Sequence, residues 1–579
     1  MFRSADRQTT FFDTAFWVGA VVPADSMYGR MNRHGDEWFR DEDYATLYKD
    51  TGLGRPCLPP SLLVKALILQ NYANLSDRDL VDAIRYDIRY KYGLNLPLDD
   101  QGFDPSLLSV FRARLLVNDK ERAAFERSLE MAIESGVLTD KEKQAIDSSP
   151  IIGGAALQDT FTLLRTGIEK VLRAIDWQRK KWEGSCGFQY PYRKEKYLSN
   201  PGKPDIEWDD DKGKRLYLQE LVADARLLLG AIQDSGMKDS EKVQAASEVL
   251  RQIIEQDIEE SSPSTKPPAS PEPQSPESPE NQEAQTGPTK ESEPKADATP
   301  PAPDQANQVD PEMAGLPSIK KQTKNRVLST NDPEMRFGHK SKSKIVKGYK
   351  SHITTTVETE IVTTVQVTPA NVPDQVPVMA AISQLESAGI KPEELYGDGA
   401  YGSADLREGA AQKGIEIVSK LPSHAGGAFT GKRFFELNVI DNSVTCPEKV
   451  TSTNFRMVRD EQKREVKRFR FNEGDCQRCP QREACIGPKQ KSREITFHFN
   501  EAQLQKAKAQ NEAPEFKEEY KKRLTVERVQ ARLHSYGAKV ARYFGERKVL
   551  LQAAFTAAAN NFWRVTQILD ERQALEAPA

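Results

Sequence analysis

Four polar side chains near the C-terminus have the spacing of one helix face. At 100° per residue, Tyr520, Arg523, Glu527 and His534 fall within a sector of roughly 60°. A phenol, a guanidinium, a carboxylate and an imidazole stand where an apolar stripe would otherwise pack. Such a face is costly to bury unless it meets ions or phosphates. Two further acids occupy positions where strands are expected to end: Asp147 in Gln-Ala-Ile-Asp-Ser-Ser and Asp398 in Leu-Tyr-Gly-Asp-Gly-Ala-Tyr401. Three carboxylates delivered by two strands and a helix suit a pair of divalent metals about 3.5–4 Å apart, the arrangement used for phosphoryl transfer.

The sequence around these acids resembles the bacterial insertion-sequence transposases of the DDE type. One branch of that family carries Tyr-x2-Arg-x3-Glu-x6-Lys around its third acid. Tyr520, Arg523 and Glu527 match in register, and His534 stands in place of the lysine. Asp398-Gly399-Ala400-Tyr401 is similar to the family's Asp-x-Gly/Ala-Tyr pattern. The resemblance implies a ribonuclease-H-like α/β core in which Asp147, Asp398 and Glu527 are catalytic and hold two Mg²⁺ (or Mn²⁺) ions. It implies a DNA substrate, both terminal inverted repeats and target, bound by a homodimer, in the bacterial cytoplasm and associated with the nucleoid. Tyr520 and Arg523 would hold the DNA backbone near the cut. His534, mostly uncharged at neutral pH, would grip phosphate less firmly than lysine. Two other readings stay open: a non-catalytic DNA-binding regulator derived from such an enzyme, and a nuclease on the same core that cuts without rejoining.

These side chains need a scaffold, and the 579 residues are long enough for several domains. Residues 1–140 read as a helical DNA-binding domain. Pro59-Pro60 precedes an apolar helix, Ser76-Asp-Arg-Asp79 has the form of a capping box, and Asp104-Pro105-Ser106 opens a helix containing Phe111, Arg112 and Arg114. That pattern permits a helix-turn-helix reader or an ordinary bundle. Residues 141–160 hold the first core strand, expected to end at Asp147 and to give way to a loop of small residues, 148–156. A helical insertion follows over 161–260, then a Pro/Ser/Glu/Gln-rich linker over 261–315 that lacks the apolar content to order itself.

The catalytic core is expected to resume over 316–423. There Tyr349–Asn371 reads as two strands, a helix spans 373–388, a strand delivers Asp398, a helix starts near Ser403, and Gly414–Leu421 gives the fifth strand. A β-rich insertion covers 424–510 and C-terminal helices cover 511–579. In the insertion, Cys446, Cys476, Cys479 and Cys485 have spacing suited to a structural zinc, with four reduced thiols as the other reading; His498 is a weaker alternative ligand. Cys57 and Cys186 stand alone.

The net charge of −4 hides an uneven distribution. Lys320–His352 holds ten Lys or Arg against two acids, and Asn511–Leu550 ten against six, while Ser261–Asp310 has nine acids against three bases. The basic segments are where phosphate contacts belong, with Lys347, Lys350 and His352 flanking the second core strand as candidate contacts. No Walker loop or dinucleotide fingerprint occurs, so no nucleotide cofactor is expected. No run of 18 apolar residues occurs, so no membrane span is expected.

Overall fold

The computed structural model describes residues 12–48, 57–181, 187–199, 206–259, 316–320, 325–339, 344–421 and 431–576. The linker expected over 261–315, and with it Cys186 and His424, lies outside the described residues. The chain divides into two compact units, 1–157 with 327–579, and 158–326.

The first unit is mixed α/β. Its N-terminal part is helical: α1 (Met27–Trp38), α2 (Pro60–Tyr72), α3 (Asp77–Tyr86), α4 (Ile88–Gly93), α5 (Ser106–Val117) and α6 (Ala123–Glu134). Apolar residues on every side of α2 leave it no solvent face, and it is buried almost throughout. Ser76 caps α3 as the sequence suggested: its hydroxyl accepts from the Asp79 amide, and the Asp79 carboxylate accepts from the Ser76 amide.

The sheet comprises β1 (Gln144–Ile152), β2 (Arg336–His339), β3 (Ile345–Thr356), β4 (Val362–Pro369), β5 (Glu394–Tyr396) and β6 (Glu416–Val418). Its order is β2-β3-β1-β5-β6, with β4 also paired to β3. β1 is antiparallel to β3 and parallel to β5, and β5 is parallel to β6. The helices α10 (Val378–Ser387) and α11 (Ala404–Ala411) make the two parallel crossovers; the numbers α7 to α9 belong to the second unit, below. β1 does not end at Asp147. It runs five residues further, pairing with β3 from Gln144↔Thr356 to Ile152↔Gly348, so 148–152 is strand rather than loop. Ser148-Ser149-Pro150 carries no strand propensity, and the twelve-residue partner imposes the conformation. Gly348 sits at φ +141, where a Cβ would lie 2.3 Å from the Gly153 amide nitrogen.

Helices cover both faces of the sheet. One core joins the N-terminal helices to β1, β3 and β4 and to the C-terminal helix, which is buried from Val549 to Val565. The other joins Ile146 and Leu395 to Val378 and Ile382 of α10 and Leu406 of α11. The N-terminal helices therefore do not stand apart from the sheet.

In the second unit, α7 (Thr160–Lys181), α8 (Asp211–Gln233) and α9 (Glu241–Asp257) agree with the helical reading of 161–260. Buried Asp257 accepts from Thr160 Oγ1 at 2.8 Å and from Arg326 Nε and Nη2 at 2.9 and 2.8 Å, closing the ends of that unit on each other.

The insertion after β6 contains two three-stranded sheets. They are β7 (Glu436–Asn438), β8 (Ser443–Thr445) and β9 (Thr451–Ser452), then β10 (Phe455–Arg459), β11 (Glu465–Arg470) and β12 (Glu494–Thr496). Phe435, Phe469, Phe471 and Phe497 dominate its small core. The chain then returns through α12 (Glu501–Glu512), α13 (Phe516–Tyr520), α14 (Leu524–Leu533) and α15 (Glu546–Glu576).

Candidate active site

Asp147 lies mid-strand in β1, and Asp398 lies just past the end of β5. The parallel register Gln144↔Leu395 and Ala145↔Tyr396 runs toward both acids, and the charge of Asp398 is felt at Asp147. Asp398 caps the short turn Gly399–Tyr401 by accepting from the Ala400 amide at 2.8 Å. Asp147 accepts from the Ser148 amide at 2.8 Å.

The segment carrying the third acid is not one regular helix. α13 tightens into a 3₁₀ turn over Lys521–Arg523 before α14, and α14 widens into a π-turn over His534–Ala538 that ends past Gly537 at φ +88. α14 and the tightened turn pack on β1. Exposed Glu527 pairs with Arg523, Nη1 to Oε1 at 2.7 Å. The Arg523 guanidinium lies 5.6 Å from the Tyr520 ring centre, and Lys420 Nζ lies 5.1 Å from the same ring. Tyr520 also stacks on Phe516 at 5.3 Å.

The electrostatics bring the three acids together. Burial pushes the Asp147 carboxyl up to about 7, and the charges of Asp398 and Glu527 add to the rise. The Ser148 amide and Arg523 oppose it. Two acids and one cation around a half-buried carboxylate leave negative charge uncompensated, which suits a hard divalent cation. Among the described residues, no three or more His, Cys, Asp or Glu side chains already stand grouped as ligands of one ion. Glu527 is engaged by Arg523 instead.

The remaining candidates have mixed fates. His534 turns inward, with Nε2 2.7 Å from Ser149 Oγ. Lys347 is exposed on β3. Lys350 bonds Asp374 at 2.7 Å and the Val372 carbonyl at 2.9 Å. His352 is buried, accepts or donates at Thr368 Oγ1, and is driven by burial down to about 4. It is neutral at pH 7 and out of reach of a phosphate. On α5, Phe111 is buried and Arg112 pairs with Asp77 while stacking over Tyr543 at 5.1 Å. Those residues tie the bundle together. Cys446, Cys476 and Cys485 pack against the insertion's aromatic core. The Cys485 thiol is raised by burial and by the charges of Cys476, Cys479 and Cys446, so the four are near one another.

Three supporting residues escape the sequence. Buried Arg407, on α11, bonds the Ile417 carbonyl at 2.6 Å and the Ser419 carbonyl and hydroxyl at 2.8 and 2.7 Å, and its Nε donates to the Gly402 carbonyl at 3.3 Å, fastening the end of the Asp398 loop to β6. Gly402 lies in that loop, where a Cβ would meet the Lys420 carbonyl at 2.7 Å. Lys143 bridges Glu394 at 2.5 Å and Glu519 at 2.8 Å, tying β1 and β5 to α13. Burial alone would raise Glu519, but hydrogen bonds from Lys143, Lys522 and Tyr396 hold it at about 2. No local spacing marks any of the three.

Two family models match the chain. One described as a transposase DDE domain covers residues 445–566, and one described as a transposase domain (DUF772) covers 17–114. The first includes the cysteines and Glu527; Asp147 and Asp398 lie outside both. No curated protein and no solved structure matches the chain.

Proposed function

We propose, from a chain whose two family matches indicate an insertion-sequence DDE transposase, that Asp147, Asp398 and Glu527 are the carboxylates at which it cuts and joins DNA. The observation that carries this reading is that Asp398 follows closely on β5, the parallel neighbour of the strand that carries Asp147, with the Glu527 helix packed on β1. The strand order β4-β3-β1-β5-β6, with β3 and β4 antiparallel to their neighbours and α10 and α11 as crossovers, supports a ribonuclease-H-like core.

The three carboxylates would hold divalent metal, Mg²⁺ or Mn²⁺. Bound there, metal activates a water or 3′-hydroxyl and stabilises the leaving 3′-oxygen. The chain's own residues supply the rest. Arg523, on the face that would meet DNA, exchanges its Glu527 partner for a backbone phosphate, which releases the carboxylate. Tyr520, held by Phe516 and Lys420, lines the path of the strand to be cut. Lys347 is a peripheral phosphate contact, whereas Lys350 already answers Asp374. Terminal inverted repeats and target DNA are the substrates, and synapsis of two ends calls for a homodimer.

The four cysteines form a structural zinc site in this reading. Cys446 opens a turn, Cys476 and Cys485 lie on helices of five and four residues, too short to hold themselves, and Cys479 lies between those helices.

The deciding experiment is metal-dependent nicking and joining of a duplex carrying the element's end, wild type against Glu527→Gln. Loss of both reactions with end binding retained is expected. Equal activity in the two proteins would remove Glu527 from the chemistry, and binding without chemistry in either would favour a regulatory descendant.

A further inference from the structure

The cysteine-bearing insertion has a polarity its family description does not explain. From Cys446 to Phe499 it carries thirteen Lys and Arg against eight Asp and Glu, in a chain whose net charge is −4. Much of that excess lies on the ribbon β10–β11, in Arg456, Arg459, Lys463, Arg464, Lys467, Arg468 and Arg470.

The antiparallel register sorts these side chains by face. Phe455↔Phe469 continues to Ile495 on one side of the sheet, where Phe469 and Ile495 are buried in the insertion's core. The next pair, Arg456↔Arg468, points the other way, as do Arg470 and, nearer the tip, Val458↔Val466, of which Val466 is buried; Arg459 and Lys467 fall on the Phe469 side. Arg456 and Arg468 are therefore directly opposite each other on the outer face, with 66% and 37% of their side chains exposed. Like charges in that relation destabilise a strand pair. Glu494 stands 3.6 Å from Arg456 and 4.0 Å from Arg468, and Arg468 Nε also donates to Thr496 Oγ1 at 3.1 Å. The Glu494 separations are long for ion pairs, whereas Arg470 makes a close one with Glu473 at 2.6 Å.

The ribbon's shape and anchorage say what the excess charge faces. β12 pairs only with Arg468–Arg470, so the outer half is two-stranded. Arg468 and Arg470 lie in the three-stranded half and Arg456 on its open edge strand, so the exposed guanidiniums stand at the base of the ribbon, on a face that can meet phosphates rather than enter a groove. At the tip, Arg464 bonds Asp405 at 2.8 Å, on the helix that follows the Asp398 loop. The tip is thus tied to the helix that follows the Asp398 loop, and the Arg456–Arg468 pair stands at the other end of the ribbon.

We propose that the outer face of β10–β11, centred on Arg456 and Arg468, is a phosphate-contacting surface for double-stranded DNA that extends the duplex grip beyond the acidic site. This rests on the transposase reading for the identity of the duplex, and it assigns the contact to residues outside the Tyr-Arg-Glu helix.

The test is fluorescence anisotropy of an end-bearing duplex with full-length protein, titrated over salt around 0.15 M. The variants are Arg456→Ala/Arg468→Ala, Arg456→Lys/Arg468→Lys, and Lys449→Ala/Arg478→Ala, which removes two exposed cations elsewhere in the insertion. The alanine pair is expected to weaken binding about tenfold and to lower the slope of log affinity against log salt by roughly 1–2. The lysine pair should recover most of the affinity, and the control pair should behave as wild type, all with unchanged thermal unfolding. An alanine pair indistinguishable from the control overturns the assignment and leaves the transposase reading intact. Loss of binding in the alanine pair, together with metal-dependent activity that Glu527→Gln does not alter, supports the surface while removing the acidic-site reading.

Discussion

His534 Nε2 lies 2.7 Å from Ser149 Oγ, joining the end of the Glu527 helix to the strand that carries Asp147. The bond sits beside a second tie, in which the Ile152 amide donates to the Lys539 carbonyl at 2.9 Å and the Ala541 amide donates to Ile152 at 2.8 Å. Strand and helix are thus registered by backbone at one point and by side chains at another. We propose that His534, engaged with Ser149, acts as a positioning residue for the helix that carries Glu527.

A double-mutant cycle tests that role. His534→Ala and Ser149→Ala should each lower the rate of end cleavage, and the pair together should lose little more than either one. Their coupling should be about 1 kcal/mol, the usual worth of one hydrogen bond. End-DNA affinity should barely change. Additive losses, or a selective loss of affinity, would return His534 to the DNA.

Asp147 allows a pH argument. Its folded value is raised from 3.8 to about 7, so the folded chain binds this proton more tightly than the unfolded chain. The resulting stabilisation is complete below the unfolded value and is lost as pH rises through about 7. In the presence of a chelator, thermal stability should therefore fall between about pH 4 and 7, and Asp147→Asn should flatten that fall and unfold at a higher temperature near pH 8. Mg²⁺ should raise the unfolding temperature of wild type and leave Asp147→Asn unmoved, because only the former gains a ligand-linked term. A Mg²⁺ response of equal size in both proteins would take Asp147 out of the metal site.

The sequence made some of this legible and hid the rest for identifiable reasons. Thr, Val and Ile between Tyr349 and Asn371 announce a hairpin, and β3 and β4 are there. Asp398 does follow a strand, as its sequence suggests, whereas Asp147 stands inside one. The length of β1 was not legible, because Ser148-Ser149-Pro150 takes its conformation from a partner about 200 residues away. β2 lay unread inside a segment that looked simply basic. His352 looked available because a lone strand is expected to expose alternate residues, yet β3 is covered on both faces and its second half is buried throughout. Arg112 looked like a reader of DNA because spacing cannot reveal that Asp77 waits 35 residues earlier.

The cysteine quartet gives the last prediction. Cys446 opens a turn closed by its own amide to the Val450 carbonyl at 2.8 Å, with Lys449 at φ +62. Cys476 and Cys485 lie on short helices whose other support is a core of six buried residues. Tetrahedral thiolate coordination would join three segments that hydrogen bonds connect sparsely, and its binding energy would be folding energy for the insertion. Purified protein should contain one zinc per chain by elemental analysis. Titration with a mercurial should release it in step with thiol modification, and cobalt exchange should give the charge-transfer absorption of a thiolate site. Cys476→Ser and Cys479→Ser should each lose the metal and make the stretch from Phe435 to Phe499 sensitive to protease. Helices α2 and α15, which share no core with that stretch, should keep their protection. Protein that is free of zinc yet resists protease in that stretch would mean that the aromatic core alone suffices, and that the four thiols are simply reduced cysteines packed against it.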